Sequence, residues 1–275
     1  MGLRGILVKR LRVTEIEDFL TCRWLWDYKW NQGLRLPDDD MRAGPMITGR
    51  AVHHGLEAAV LLGGGQAAAL RYAAEYLTQY EGSAKFQRGV ETCIRGLDPA
   101  LYELVAPQAE QELTWPIPGI DYDLVGRPDL WYIDETSGIY IIDYKTTSKE
   151  EEEKGRGYQI WSQQTPLYGL LVVEYLATLD QSLPIYLQHI ILSTRGNHYM
   201  TRPLLFSSRE CETQKALVTT LAAEVERCHQ DPTLLYPTRN FFQCHRCDFA
   251  TVDQVRLTGR DYESIIEEEY EKRRA

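Results

Sequence analysis

The stretch GRPDLWYIDETSGIYIIDYKTTS, residues 126–148, sets the acids Asp129 and Asp143 at the ends of two apolar runs and puts Lys145 two places beyond the second. The turn-forming residues DETSG at 134–138 predict a β-hairpin, with GIYIIDYKTT as its second strand. In a strand, residues i and i+2 face one side, so Asp143 and Lys145 project together while Tyr144 turns away. The hairpin returns Asp129 beside Asp143. Two carboxylates that close repel unless a positive charge neutralises them. A hard divalent cation does so, since Mg²⁺ is typically held by one or two carboxylates with water and phosphate oxygens. A lysine beside it could orient an attacking water or offset charge on a phosphate. A simpler reading is an ion pair closing a hairpin, and the stretch alone leaves both open.

The rest of the chain supplies the context. It has 275 residues, 44% hydrophobic and 25% charged, the profile of a soluble globular protein with a sizeable core. No apolar run approaches the ~20 residues of a membrane helix, and the first fifteen residues lack the pattern of a signal peptide. These features predict a cytoplasmic protein with no membrane partner. The net charge of −10 argues against a generally basic nucleic-acid coat, yet residues 1–35 carry seven Lys/Arg against four Asp/Glu, so a local basic track stays open. Six cysteines in a long chain of this kind point to metal or redox chemistry more than to disulfides.

Thr14 and Glu17 form a capping box ahead of a helix over about 14–30. Thr48 opens a second helix, and two more follow at about 66–81 and 83–105. Period-2 patterning then predicts strands at 109–117, 122–133 and 138–147. A charged loop (148–157) leads to a helix over 158–179, strands at 184–194 and 198–206, and a helix from Ser208. The organisation is a helical part at 1–107, a core at 108–206 and a C-terminal helix with a C-x-x-C segment at 207–275, packed as one domain.

RPD followed by DYK resembles the PD-(D/E)xK motif of restriction-endonuclease-like nucleases. Three further features resemble the RecB-like branch, which includes the CRISPR-adaptation exonucleases. GRAVH matches its G-x-x-x-H with Gly49 and His53. Gln164 and Tyr168 match its Q-x-x-x-Y and share a helix face, although Pro166 between them implies a kink or a late helix start. Cys22, Cys244 and Cys247 match three of the four cysteines of its iron–sulfur members, while Asp253 stands at the fourth position.

The resemblance spans about 12–255 and implies an α/β fold: an αβββαβ core with a mixed central sheet, a helical N-terminal addition and a cysteine-containing C-terminal segment. It implies hydrolysis of a DNA phosphodiester, most simply by an exonuclease acting at ends in recombination, repair, or phage and CRISPR DNA processing, with a helicase or recombination partner. His53, Asp129, Asp143 and the Tyr144 backbone carbonyl would hold Mg²⁺ or Mn²⁺. Lys145 would position water, with Gln164 and Tyr168 steadying it or a phosphate. Cys22, Cys244 and Cys247, with Asp253 or a displaced Cys228, would hold a [4Fe–4S] cluster or Zn²⁺, or else the site is vestigial and the two ends simply pack. Arg127, with Arg10, Arg12, Arg23 and Lys29, is a candidate for contact with the nucleic-acid backbone. Trp24 and Trp26 either stack on bases or fill the core, Glu112 either joins the acidic edge or is a solvated strand residue, and His54, about 100° round the helix from His53, is given no role. The rival readings are an inactive DNA-binding or scaffold protein on the same fold, and a site-specific endonuclease.

Overall fold

The computed structural model describes residues 8–37, 44–80, 82–104, 107–148, 162–181, 183–196, 198–238, 244 and 247–272. In chain order the first elements are β1 Lys9–Arg12, α1 Val13–Thr21, α2 Arg23–Trp26, β2 Leu34–Arg35, α3 Gly44–Leu62, α4 Gly65–Leu77 and α5 Ala84–Arg95. Strands β3 Gln108–Ala109, β4 Leu113–Pro116, β5 Tyr122–Gly126, β6 Leu130–Asp134 and β7 Gly138–Thr147 follow. Then come α6 Gln164–Ala177, β8 Ile185–Ser193, β9 Tyr199–Met200, β10 Leu204–Leu205 and α7 Ser208–Gln230. The chain closes with α8 Ala250–Leu257, α9 Glu263–Glu269 and β11 Glu271–Lys272. Two compact units form, Met1–Val13 with Pro45–Thr219 and Thr14–Gly44 with Thr220–Ala275, and these cut across the linear divisions at 107 and 206.

The larger unit is built on a mixed sheet in the order β10-β8-β7-β6-β3, with β9 also on β8. β6 and β7 are antiparallel and β7 and β8 parallel, so the expected mixed α/β core is present. Central strands covered on both faces read as near-continuous apolar runs. Ile139, Ile141 and Ile142 of β7 are each 0% exposed, and each such burial contributes about 1.5–3 kcal/mol. The β6–β7 hairpin closes as the sequence predicts: Asp134 Oδ1 accepts from the Thr136 and Ser137 amides at 2.9 and 3.2 Å.

Where one strand is expected over 122–133, the structure has two. β5 pairs in a separate three-stranded sheet, β1-β5-β4, and β6 belongs to the large one. The chain changes sheets through Arg127, Pro128 and Asp129, because Pro128 has no N–H for a ladder. The expected strand over 109–117 divides likewise into β3 and β4. Its break is at Glu110, whose φ is +49° and whose amide donates to the Pro128 carbonyl at 3.2 Å. The two switch points brace each other.

Helix boundaries also differ. The helix expected over 14–30 is interrupted at Cys22, which is extended (φ −165°, ψ 125°), and resumes as α2 and a π-turn over Asp27–Asn31. α3 begins at Gly44 rather than Thr48, and the helix expected to 105 ends at Arg95, before a 3₁₀ turn led by Pro99. α6 starts late, at Gln164, so Pro166 falls in its first turn where a missing N–H costs nothing. The charged loop beyond Ser148 and the residues 158–161 lie outside the described residues.

The smaller unit has its own core of Trp24, Tyr28, Leu34, Leu36, Phe249, Val252 and Tyr270. Arg256 stands 4.3 Å over the Trp24 ring and donates to the Tyr28 hydroxyl at 3.1 Å. Trp24 and Trp26 are 8% and 0% exposed, which makes them core and removes them as base-stacking platforms. Among the described residues, no helix is long and apolar enough to cross a membrane.

Candidate active site

Leu130 of β6 pairs with Ile142 of β7, so Asp129 and Asp143, one step beyond, come to the same end of the hairpin. Asp129 Oδ2 accepts from the Tyr144 amide at 2.7 Å, and its Oδ1 is 3.1 Å from His53 Nδ1 on α3. Gly49 explains how α3 reaches so far: a Cβ there would stand 3.2 Å from Thr146 Oγ1 of β7. One helical turn later, His53 faces the acids on the same side.

Glu110 completes this corner. His53, Glu110 and Asp129 each offer an atom that lies within 4.8 Å of the others, which makes them a candidate metal-holding group. Asp143, also expected as a ligand, lies alongside but outside that group. Glu110 replaces Glu112 on the acidic edge. Glu112 points elsewhere, paired with Arg10 and with Arg127 Nη2 at 3.0 Å. His54 also has a place, since it lines an open cavity of about 400 Å³ with His53, Arg50, Glu57, Tyr76 and Glu110.

The electrostatics fit a cation. Burial pushes the Glu110 carboxyl up, with help from the Asp129 and Glu57 charges, to about 7. Burial opposes charge on His53, yet the adjoining Asp129 outweighs it and raises the imidazole to about 9. Burial also acts against the Asp129 charge, but His53, Lys145 and the Tyr144 amide hold it below the usual carboxylate range. For Asp143, burial is opposed by Lys145 and assisted by Asp129, and the carboxyl rises to about 6. Asp143 Oδ2 is buried and accepts no well-aligned hydrogen bond, although Lys145 Nζ is 2.9 Å away. An under-satisfied buried carboxylate oxygen on Asp143, with Asp129 and the His53 imidazole in the same corner, suits Mg²⁺ or Mn²⁺.

Lys145 Nζ donates to Asp143 Oδ1 at 3.1 Å and to Gln164 Oε1 at 2.6 Å, and Gln164 Nε2 donates to the Tyr168 hydroxyl at 2.8 Å. Gln164 and Tyr168 sit one turn apart at the start of α6. Gly126 lets Tyr168 in: a Cβ there would meet Leu171, Val13 and Tyr168 at 2.7–3.0 Å. His189 of β8 was not anticipated. It is 1% exposed, and burial followed by the Lys145 charge lowers its pKa to about 4, so it is neutral near pH 7. Its signal in the sequence is a lone histidine inside the apolar run PIYLQHIIL.

Arg127, half exposed, spends two N–H groups on Glu112. Arg23 pairs with Glu224, and Lys29 with Asp18 at 3.1 Å. Cys22, Cys244 and Cys247 lie in the smaller unit. Cys22 Sγ accepts from the Thr238 amide and Cys244 Sγ donates to the Thr238 carbonyl, both at 3.4 Å. Burial, with the Asp253 charge adding to it, raises the Cys247 thiol to about 12. Asp253 Oδ1 is buried with no hydrogen-bond partner.

A mixed sheet that ends in Asp129, Asp143 and Lys145, flanked by a histidine helix and a Gln–Tyr helix, defines a nuclease scaffold. The sequence profile of the PD-(D/E)XK nuclease superfamily matches residues 10–252, and the chain belongs to that superfamily, whose members are hydrolytic nucleases. No curated protein matches the chain. Among solved structures, it is similar to a candidate exonuclease from Eubacterium rectale at 14% identity and a TM-score of 0.51, covering 87% of this chain and 90% of that one. It is also similar to a protein named SSO0001, at 14% identity, 88% and 84% coverage and a TM-score of 0.42.

Proposed function

We propose that the chain is a divalent-metal-dependent deoxyribonuclease that hydrolyses phosphodiesters at DNA ends. The observation that carries this reading is Lys145 Nζ, held between Asp143 and Gln164 beside the His53–Glu110–Asp129 corner. His53, Asp129, Asp143 and the Tyr144 carbonyl, now joined by Glu110, would hold Mg²⁺ or Mn²⁺, which supplies Lewis-acid polarisation of the phosphate and activation of water. Lys145 orients the attacking water and offsets charge developing on the phosphoryl oxygens. Gln164 keeps the ammonium in that direction, and Tyr168 keeps Gln164 in place. No covalent intermediate is needed. The Gly49–His53 and Gln164–Tyr168 pairs favour action at ends over site-specific cutting, and an exonuclease candidate on the same fold is in keeping with this.

The cysteine site is a separate part of the proposal. Cys22, Cys244 and Cys247 with Asp253 would hold a [4Fe–4S] cluster or Zn²⁺. Tetrahedral zinc needs thiolates about 3.8 Å apart. Among the described residues, no three of these four donors come within 4.8 Å of one another, and metal content is what decides between cluster and zinc. Iron, zinc and sulfide content of protein purified without oxygen tests it, and Cys244→Ser is expected to lower the metal found.

For the main reading, purified protein with Mg²⁺ or Mn²⁺ is expected to degrade end-labelled DNA. Asp143→Ala is expected to lose at least ~100-fold in rate at unchanged circular dichroism. Tight DNA binding without cleavage in either metal would favour an inactive binding protein instead.

A further inference from the structure

We propose that His189 is a positioning residue that, together with Thr165, fixes the Asp143 carboxylate for the divalent cation. This rests on the metal-site reading above. β7 and β8 run parallel with Asp143 directly opposite His189, so their side chains stand side by side on one face of the sheet. His189 Nε2 lies 2.8 Å from Thr165 Oγ1 in the first turn of α6 and 3.4 Å from Asp143 Oδ2. All three residues are buried, at 1%, 1% and 0% exposure.

The tautomer follows from the acceptors around the ring. An Nε2 lone pair aimed at an anionic carboxylate oxygen would be repelled, which assigns the hydrogen to Nε2, donated to Thr165 Oγ1 with the positive edge of the ring turned toward Asp143 Oδ2. The backbone that carries the ring is itself tied down. The His189 amide donates to Thr201 Oγ1 at 2.8 Å, its carbonyl accepts from the Thr201 amide at 2.9 Å, and Gln188 Nε2 donates to the Thr201 carbonyl at 2.8 Å.

An isoleucine at 189 would continue the apolar run without the desolvation cost of an imidazole. What the imidazole adds is a neutral donor against the oxygen that Lys145 does not bind in good alignment. Ligand carboxylates are commonly oriented by outer polar partners of this kind, and losing one typically costs 10- to 100-fold in metal affinity. His189 thus holds Asp143 correctly turned, while Lys145 remains directed at Gln164.

The test is direct Mn²⁺ binding, read by the electron paramagnetic resonance of free Mn²⁺, with the Mn²⁺ dependence of cleavage alongside. His189→Leu is expected to weaken Mn²⁺ binding by about 10- to 100-fold, with maximal cleavage largely recovered at saturating Mn²⁺. His189→Gln, which returns an N–H near the Nε2 position, is expected to restore most of the affinity. Thr165→Val keeps the volume and is expected to move affinity in the same direction as His189→Leu, and it decides the matter where His189→Leu fails to fold. Wild-type Mn²⁺ affinity in folded His189→Leu, or in Thr165→Val in its stead, would overturn the proposal. So would His189→Gln as weak as His189→Leu, since packing alone would then explain the residue. Asp143→Ala separates the two levels: if it too binds Mn²⁺ like the wild type, the metal-site reading falls, and the His189 proposal with it.

Discussion

At the scale of single residues, the site is an arrangement of misplaced charges, and their titration has a definite sign. Glu110 holds its proton to about pH 7 in the metal-free protein, against about 4.3 when unfolded. The folded state therefore binds the extra proton, so this contribution to stability is full below pH ~4.3 and lost as pH rises to 7. Metal-free wild type is expected to lose thermal stability over that window relative to Glu110→Gln, measured by differential scanning calorimetry, and parallel curves would contradict the assignment. His53, raised to about 9, must shed its proton to become a ligand. Mn²⁺ affinity is accordingly expected to climb from pH 6.5 to 9 with proton release, and His53→Gln is expected to flatten that climb.

At the scale of elements, two glycines set distances that no pattern of apolar residues could specify. Gly49 lets α3 lie against the end of β7, so Gly49→Val is expected to push the helix away and cut Mn²⁺-dependent cleavage by on the order of tenfold or more. Gly126→Ala would drive a methyl into Leu171, Val13 and Tyr168, and is expected to lower stability by about 1–3 kcal/mol in urea denaturation. A change within error would mean the strand switch yields easily. These positions also explain what could be read in advance. Asp143 and Lys145 were legible because a period of two is local, and Gln164 with Tyr168 because i and i+4 share a face. Glu110 was not, because its place depends on a left-handed residue bracing Pro128 across two sheets. Glu112, two positions on, has the same local credentials and belongs to an ion pair. His189 was hidden for a similar reason: only the β7–β8 register, a tertiary fact, sets it against Asp143.

At the scale of the whole molecule, a net charge of −10 leaves DNA attraction to local groups, and two of these are held back. Arg10 and Arg127 both pair with Glu112, and surface pairs of this kind are worth little. Glu112→Gln is expected to free them and tighten DNA binding severalfold at low salt, with the gain fading as salt rises; weaker binding would show that Glu112 orients the arginines productively. Segments far apart in sequence, Thr14–Gly44 and Thr220–Ala275, build the smaller unit. That chemistry rests on one ammonium and its neighbours. The most direct measurement is single-turnover cleavage of end-labelled DNA in Mn²⁺ by wild type and by Lys145→Ala, with Mn²⁺ binding measured in both. The account predicts rapid release of terminal nucleotides by the wild type and loss of cleavage in Lys145→Ala with Mn²⁺ still bound. Undiminished cleavage by the folded variant would contradict it.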